Sequence, residues 1–318
     1  MTDGVRRSAL RPFSTVLDEL ATRRFVIVSG KGGVGRTTIS ALLGSAFAAR
    51  GRRVLVATTG HDDRLAWMLG ASALGESPAR VGERLYIQRL APQNCIREYG
   101  ALVLRSTRLS SVVFDNRVVA PLLRAVPGLD EFAVLGKAWH EAFRAGQFDT
   151  VVFDGPATGH LLYTLGVPRA ILGTISPGPL TREAEQMQAN FEDAASTSAL
   201  LVGLPETWPL TELGELGAAL RDRIGIRIGA VFVNGLWPAD LPPPAGDADV
   251  PDAIATIDRV CAIGRRHHHE VDHWAQSEAA ARCGADAMVL VPWRFGGVAD
   301  VATLQGLQDP AATQGGAG

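Results

Sequence analysis

The sequence predicts a doubly wound α/β fold: a mostly parallel sheet held between helical layers as a three-layer α/β/α sandwich. Three observations carry this expectation. Short apolar runs recur along the chain at Phe25-Val26-Ile27-Val28, Val54-Leu55-Val56-Ala57, Leu85-Tyr86-Ile87, Val151-Val152-Phe153, Leu200-Leu201-Val202, Ala230-Val231-Phe232-Val233 and Met288-Val289-Leu290-Val291. Runs of β-branched and large apolar residues suit strands buried on both faces of a parallel sheet. Helical patterns separate them, and such alternation is resolved by winding the helices over both faces of the sheet. Finally, Ser29-Gly30-Lys31-Gly32-Gly33-Val34-Gly35-Arg36-Thr37-Thr38 stands between the first run and the apolar Ile39-Ser40-Ala41-Leu42-Leu43, where a strand turns into a helix.

Taken in order, residues 15–21 form a short helix leading into the first strand. Residues 37–50, rich in alanine and leucine, form the helix after the glycine-rich loop, and Gly51 ends it. No strand is expected from residue 93 to 147. Helical patterns there cover 95–107, 117–126 and 130–145, with Pro127-Gly128 breaking the last two apart, so this stretch is a helical insertion on the sheet. Residues 238–252 are rich in Pro, Asp and Gly and are expected to be a flexible surface loop, and the tail over 310–318 to be disordered. With no internal repeat, residues 1–318 are expected to form a single domain.

The composition bounds the function. A chain of 318 residues with 47% hydrophobic content can bury a sizeable core. A net charge of −2 gives no electrostatic reason to expect a nucleic-acid partner. Cys95, Cys261 and Cys283 form no C-x-x-C pair and are expected to be reduced, buried thiols of a cytoplasmic protein. Residues 1–12 carry arginines without an apolar stretch behind them, so no secretory signal is expected.

The glycine-rich loop fits G-x-x-x-x-G-K-[ST], a phosphate-binding pattern whose glycines let backbone N–H groups face the phosphates while the following helix N-terminus adds partial positive charge. The candidate ATP-binding residues are therefore Gly30, Lys31, Gly32, Gly33, Val34, Gly35, Arg36, Thr37 and Thr38. Arg36 stands where the pattern has lysine, and a second basic residue, Lys31, follows the first glycine. Further on, Val151-Val152-Phe153-Asp154-Gly155-Pro156-Ala157-Thr158-Gly159-His160 places an acid at a strand end. Thr37 and Asp154 are the candidate Mg²⁺ ligands, Thr37 directly and Asp154 through water. The glycines and proline behind Asp154 suit a loop that reorganises when a γ-phosphate arrives.

Together these two motifs resemble the arsenical-pump ATPase family, which includes the ATPases that deliver tail-anchored proteins to membranes. The resemblance runs over residues 24–307 and takes in Ser176-Pro177-Gly178-Pro179-Leu180, Leu204-Pro205-Glu206, Val233-Asn234 and Val291-Pro292. It implies a P-loop NTPase of the deviant loop type, in which Lys31 reaches the nucleotide of an opposing subunit in a homodimer or a heterodimer with a paralogous ATPase. It also implies that Asn234 and the backbone near Pro292 hold the adenine. The chain departs from the family pattern at Arg36 and in the first switch, where the family carries Asp-Pro-Ala and this chain reads Thr58-Thr59-Gly60-His61-Asp62-Asp63-Arg64-Leu65. Asp62 or Asp63 is the nearest substitute for the missing acid, and Lys31, Arg36 and Asp62 are the candidate catalytic residues.

Three function classes follow. The first is a working ATPase acting on a membrane-related client or pump, and the second a weakly active subunit that regulates an intact paralogue. The third, a partitioning-type ATPase, calls for a basic C-terminal helix that the residues after Asp309 do not supply. Apolar residues of the insertion, among them Val103, Leu104, Val112, Val113, Phe114, Leu122, Leu123, Leu129, Phe132 and Leu135, could line a groove for a hydrophobic client or pack on the sheet or on a partner subunit, the more usual fate of such stripes. The run His267-His268-His269 brings His269 and His273 to one helix face, yet consecutive histidines diverge and Arg265-Arg266 adjoin them, which favours a solvated polar face over a metal site.

Overall fold

The computed structural model describes residues 9–103, 128–174, 176–241, 251–298 and 300–307. Within them the chain runs β1 (Ala9–Leu10), α1 (Phe13–Leu20), β2 (Phe25–Gly30), α2 (Arg36–Ala49), β3 (Val54–Thr58), α3 (Arg64–Met68), β4 (Ala79–Arg80) and β5 (Leu85–Arg89). It continues with α4 (Pro92–Val103), α5 (Leu129–Phe143), β6 (Thr150–Asp154), α6 (Thr158–Thr174), α7 (Pro179–Glu192), β7 (Thr197–Gly203) and α8 (Thr207–Ala219), whose end widens into a π turn over Leu220–Ile224. Last come β8 (Ile228–Leu236), α9 (Pro251–Ala275), α10 (Glu278–Cys283), β9 (Ala287–Pro292) and α11 (Val301–Gln305). Pro251 and Asp252, at the end of the expected loop, are thus the first residues of a helix, proline fitting the first turn because its missing N–H has no helical partner there. The expected helix over 117–126 and the tail lie outside the described residues.

The nine strands form one sheet in the order β1-β9-β8-β7-β2-β6-β3-β5-β4, parallel throughout except where β4 meets β5. Each apolar run read from the sequence is a strand, and β2 shows why such runs have no polar side. Phe25 and Ile27 enter one core with Phe153, Phe191 and Trp139, while Val26 and Val28 enter the other with Ile39, Leu42 and Phe47. Phe25 anchors the first core by stacking on Phe153 and Phe191 at 5.9 and 6.2 Å. The insertion's described helices meet at Lys137 on α5, whose Nζ lies 2.9 Å from both Glu98 on α4 and Glu141.

Of the insertion's groove candidates, residues 104–127 lie outside the described residues. Phe132 and Leu135 are buried in the core under α5 and so cannot line an open groove. No helix among the described residues is long and apolar enough to cross a membrane.

The outer helices pack through glycines. A Cβ at Gly217 on α8 would lie 2.5 Å from Cys283 Sγ and 2.9 Å from its Cα on α10. Gly217→Ala should therefore lower unfolding stability in urea by about 1–3 kcal/mol, because overpacking outweighs the gain in helix propensity of up to ~1 kcal/mol. An unchanged or raised midpoint would mean that the two helices separate at little cost.

Candidate functional site

The glycine-rich loop joins the end of β2 to α2 at the carboxyl edge of the sheet, where ligands bind in open α/β folds. Gly30 and Gly35 are required by geometry. A Cβ at Gly30 would sit 2.1 Å from the Val202 carbonyl oxygen, and Gly35, at φ +91°, would drive one to 2.2 Å from Asn234 Nδ2. The first turn of α2 has no side-chain cap and no acidic residue, so its N–H groups and partial positive charge are left for an anion.

Asp154 ends β6 directly beside this loop, almost wholly buried. Its carboxylate accepts hydrogen bonds from Thr37 Oγ1 at 2.9 Å, Ser40 Oγ at 3.2 Å and Thr58 Oγ1 at 2.7 Å. Burial pushes the carboxyl above its ordinary value; the Thr58 and Thr37 hydroxyls, the Arg36 charge and the Ser40 hydroxyl pull it back without cancelling the shift. Arg36 donates from Nη1 to the Gly155 carbonyl at 2.6 Å, and Ser29 donates from Oγ to the Pro156 carbonyl at 3.2 Å. The phosphate loop is thereby tied at two points to the segment behind Asp154.

The remaining candidates divide. Asn234 donates from Nδ2 to the Val34 carbonyl at 2.9 Å, so it braces the loop, and Pro292 closes the neighbouring strand, with Val291 paired to Asn234. Lys31 is exposed and pairs with Glu212 on α8 at 2.7 Å. Asp62 does not join the Asp154 cluster: it accepts from the Arg64 backbone N–H and pairs with the Arg64 side chain at 3.4 Å. Asp63 is committed to Arg89 at 2.8 Å and to the Leu74 N–H at 3.0 Å.

Sequence reasoning missed Ser40, Thr58 and Glu212. Ser40 follows Thr37 by three residues and so shares its helix face, a signal within reach. Thr58 is brought to Asp154 by the register of β3 on β6. Beyond Pro292 the chain also presents Trp293 and Phe295, both exposed, with Trp237 at 5.6 and 6.1 Å from their rings.

Other chemistry recedes. All three cysteines are free and buried, and burial pushes the Cys95 and Cys283 thiols up to about 12, far from reactive thiolates. In the histidine run, His267 is buried against Trp237 while the rings of His269 and His273 stack at 6.5 Å. Among the described residues no three His, Cys, Asp or Glu side chains are grouped to hold a metal ion.

This geometry agrees with the comparison to known proteins. Residues 23–176, which contain the phosphate loop and the Asp154 segment, match the anion-transporting ATPase family. The match covers just under half of the chain. An arsenical pump-driving ATPase of Escherichia coli is 29% identical over 239 residues, 73% of this chain and 38% of the relative. ATPase BagA of Mycobacterium tuberculosis is 26% identical over 69% of this chain and 67% of the relative, and ATPase ASNA1 homolog 1 of Paramecium tetraurelia is 27% identical over 59% and 55%. The chain thus spans less than two fifths of the length of the arsenical pump-driving ATPase it resembles.

The raised pKa of Asp154 sets a pH dependence for this protein. Its contribution to stability is fully present below the ordinary value of 3.8 and is lost as pH rises through the raised value. Asp154→Asn keeps an acceptor without the buried charge. In chelator its melting temperature should match or exceed that of the unsubstituted protein, by a margin that widens as pH rises above the ordinary carboxyl value of 3.8. A variant less stable across that whole range would show that the three hydroxyl bonds to the carboxylate outweigh its burial.

Proposed function

We propose that this chain binds Mg·ATP and acts as one subunit of a nucleotide-closed dimer, a slow ATPase whose state switches the insertion. The observation that carries this reading is the union of an uncapped helix N-terminus behind the glycine loop with a buried carboxylate that holds the Thr37 hydroxyl. The backbone from Gly30 to Thr38 cradles the phosphates. The base lies toward Asn234 and Pro292, where the exposed Trp293 offers an aromatic face. The donor set fits Mg²⁺, since a hydroxyl and a carboxylate are hard oxygen ligands; Thr37 would hold the ion directly and Asp154 through water. When bound, the ion neutralises charge on the phosphoryl group being transferred.

Within the chain, Arg36 offers its guanidinium to the phosphates in competition with the Gly155 carbonyl, so phosphate arrival loosens the segment behind Asp154. Lys31 leaves Glu212 for the partner's nucleotide. An exposed ion pair of this kind is worth only about 0–1 kcal/mol, so the exchange costs little. The client is a membrane-related protein, a reading supported by the Escherichia coli relative, an arsenical pump-driving ATPase.

Hydrolysis is slow because Thr58 stands at the strand end where the family carries the acid that orients water, and Asp62 and Asp63 are held elsewhere. Losing a positioned water lowers rate more than affinity. Thr58 and Arg36 therefore also favour a second reading, a regulatory subunit paired with an intact paralogue.

Fluorescent ATP analogue should bind saturably and depend on Mg²⁺; absence of saturation at about 1 mM nucleotide, with or without Mg²⁺, removes the reading. Phosphate release should be slow and should rise in Arg36→Lys. A rate of roughly 1 s⁻¹ or more in the unsubstituted chain would show that neither departure impairs turnover. By linkage, nucleotide should promote association in sedimentation, alone or with a co-expressed paralogue, and Lys31→Ala should abolish that dependence. Unchanged association in Lys31→Ala excludes the trans role.

A further inference from the structure

Four segments far apart in sequence line a half-open cavity of about 300 Å³ beside the Asp154 segment. Thr59 and His61 after β3, Leu90 and Pro92 before α4, Asp130, Glu131 and Val134 at the start of α5, and Phe153, Pro156, His160 and Thr164 around α6 line it. Its floor is apolar, made by Leu90, Val134 and Phe153, all buried. Its polar groups are two carboxylates, two imidazoles and two threonines, and no lysine or arginine is among the described residues that line it. The nearest thing to a counter-charge is His160, whose Nε2 lies 3.5 Å from Glu131 Oε1 and which is charged only when protonated.

The first turn of α5 gains a little from acids against its partial positive charge, about 0.3–1 kcal/mol each. That accounts for their presence in the turn. It does not account for a half-open cavity with an apolar and aromatic floor beside them. Such a cavity, an apolar wall with a few convergent polar groups, is the form small-molecule sites take. Two carboxylates over a floor that includes Phe153 select a planar or compact organic cation with a short apolar stem. A metal ion is the poorer match, since no three ligating side chains are grouped here among the described residues.

We propose that this cavity is a binding site for a guanidinium or alkylammonium group, linked to the phosphate loop. The link is built from two bonds: the Thr59 N–H donates to the Asp154 carbonyl at 3.4 Å, and the Pro156 carbonyl accepts from Ser29 at 3.2 Å. Thr59 and Pro156 are both walls of the cavity. An occupant that shifts either wall acts on the loop two residues away, and nucleotide acts on the occupant's affinity by the same factor.

The test uses n-butylguanidinium, its neutral isostere n-butylurea, and N-acetyl-arginine amide, titrated calorimetrically into the full chain. Butylguanidinium should bind saturably and butylurea roughly tenfold or more weakly, because only the cation satisfies the carboxylates. Asp130→Asn and Glu131→Gln should each weaken binding by about fivefold or more, and thermal melts without additive report whether each variant is folded. The single variants carry the test if the double variant does not fold. The arginine amide distinguishes the source: tighter binding than butylguanidinium points to an arginine side chain of a partner, weaker binding to a free cation. Saturating cation should also change the affinity for Mg·ATP by roughly threefold or more. Equal binding of butylurea, indifference of both variants, or an unchanged ATP affinity overturns the proposal. Should the chain bind no ATP at all, the nucleotide reading fails while the cation titrations still report on the cavity.

Discussion

Everything at the carboxyl edge of the sheet depends on keeping one carboxylate, that of Asp154, out of water. Removing a carboxylate from solvent costs several kcal/mol even after relaxation. Each hydrogen bond to a charged group returns about 1.5–3 kcal/mol, so three hydroxyls come close to compensating without doing so. The raised pKa agrees with that balance. The three donors come from two elements, Thr37 and Ser40 from α2 and Thr58 from β3. β6 must therefore lie between β2 and β3, as it does, and in the register that sets Thr58 opposite Asp154. A slip of one residue would turn the carboxylate to the other face of the sheet and lose all three donors.

How much of this was legible follows from how far each signal extends along the chain. The seven long strands announce themselves because burial on both faces makes each an apolar run. β1 and β4 do not, since two residues carry no period. The phosphate loop and the Asp154 segment could be read because each is contiguous and its glycines and acid stand at fixed spacing. Thr58 could not, because its role depends on which strand lies beside β6, a fact of the sheet and not of the run Val54–Thr58. Glu212 stands 181 residues from Lys31, and nothing local to either predicts the pair. Phe132 and Leu135 show the converse limit: an apolar helical stripe has the same sequence whether it faces a client or a core, and here it faces the core, the commoner of the two readings.

Arg36 gains meaning from the same arrangement. A lysine at this position would present a compact ammonium and leave the Gly155 carbonyl to other partners. The guanidinium is longer and planar, with several donors, and one of them holds that carbonyl at 2.6 Å. The segment at and behind Asp154 is thereby fastened at four points: by Arg36 at the Gly155 carbonyl, by the Val28 carbonyl at the Gly155 N–H, by Ser29 at the Pro156 carbonyl, and by the Thr59 N–H of the chain after β3 at the Asp154 carbonyl. A phosphate that draws the guanidinium away would free the first of these and leave the other three. The loosened part is the stretch leading to Pro156 and on to His160, which forms one wall of the cavity under α5. On the proposed function, substitution of the loop lysine and coupling to the insertion would have one physical origin. The larger cation would fit less well between phosphates and tie more firmly to the segment behind Asp154, so that slower chemistry and tighter conformational linkage would arise from the same side chain.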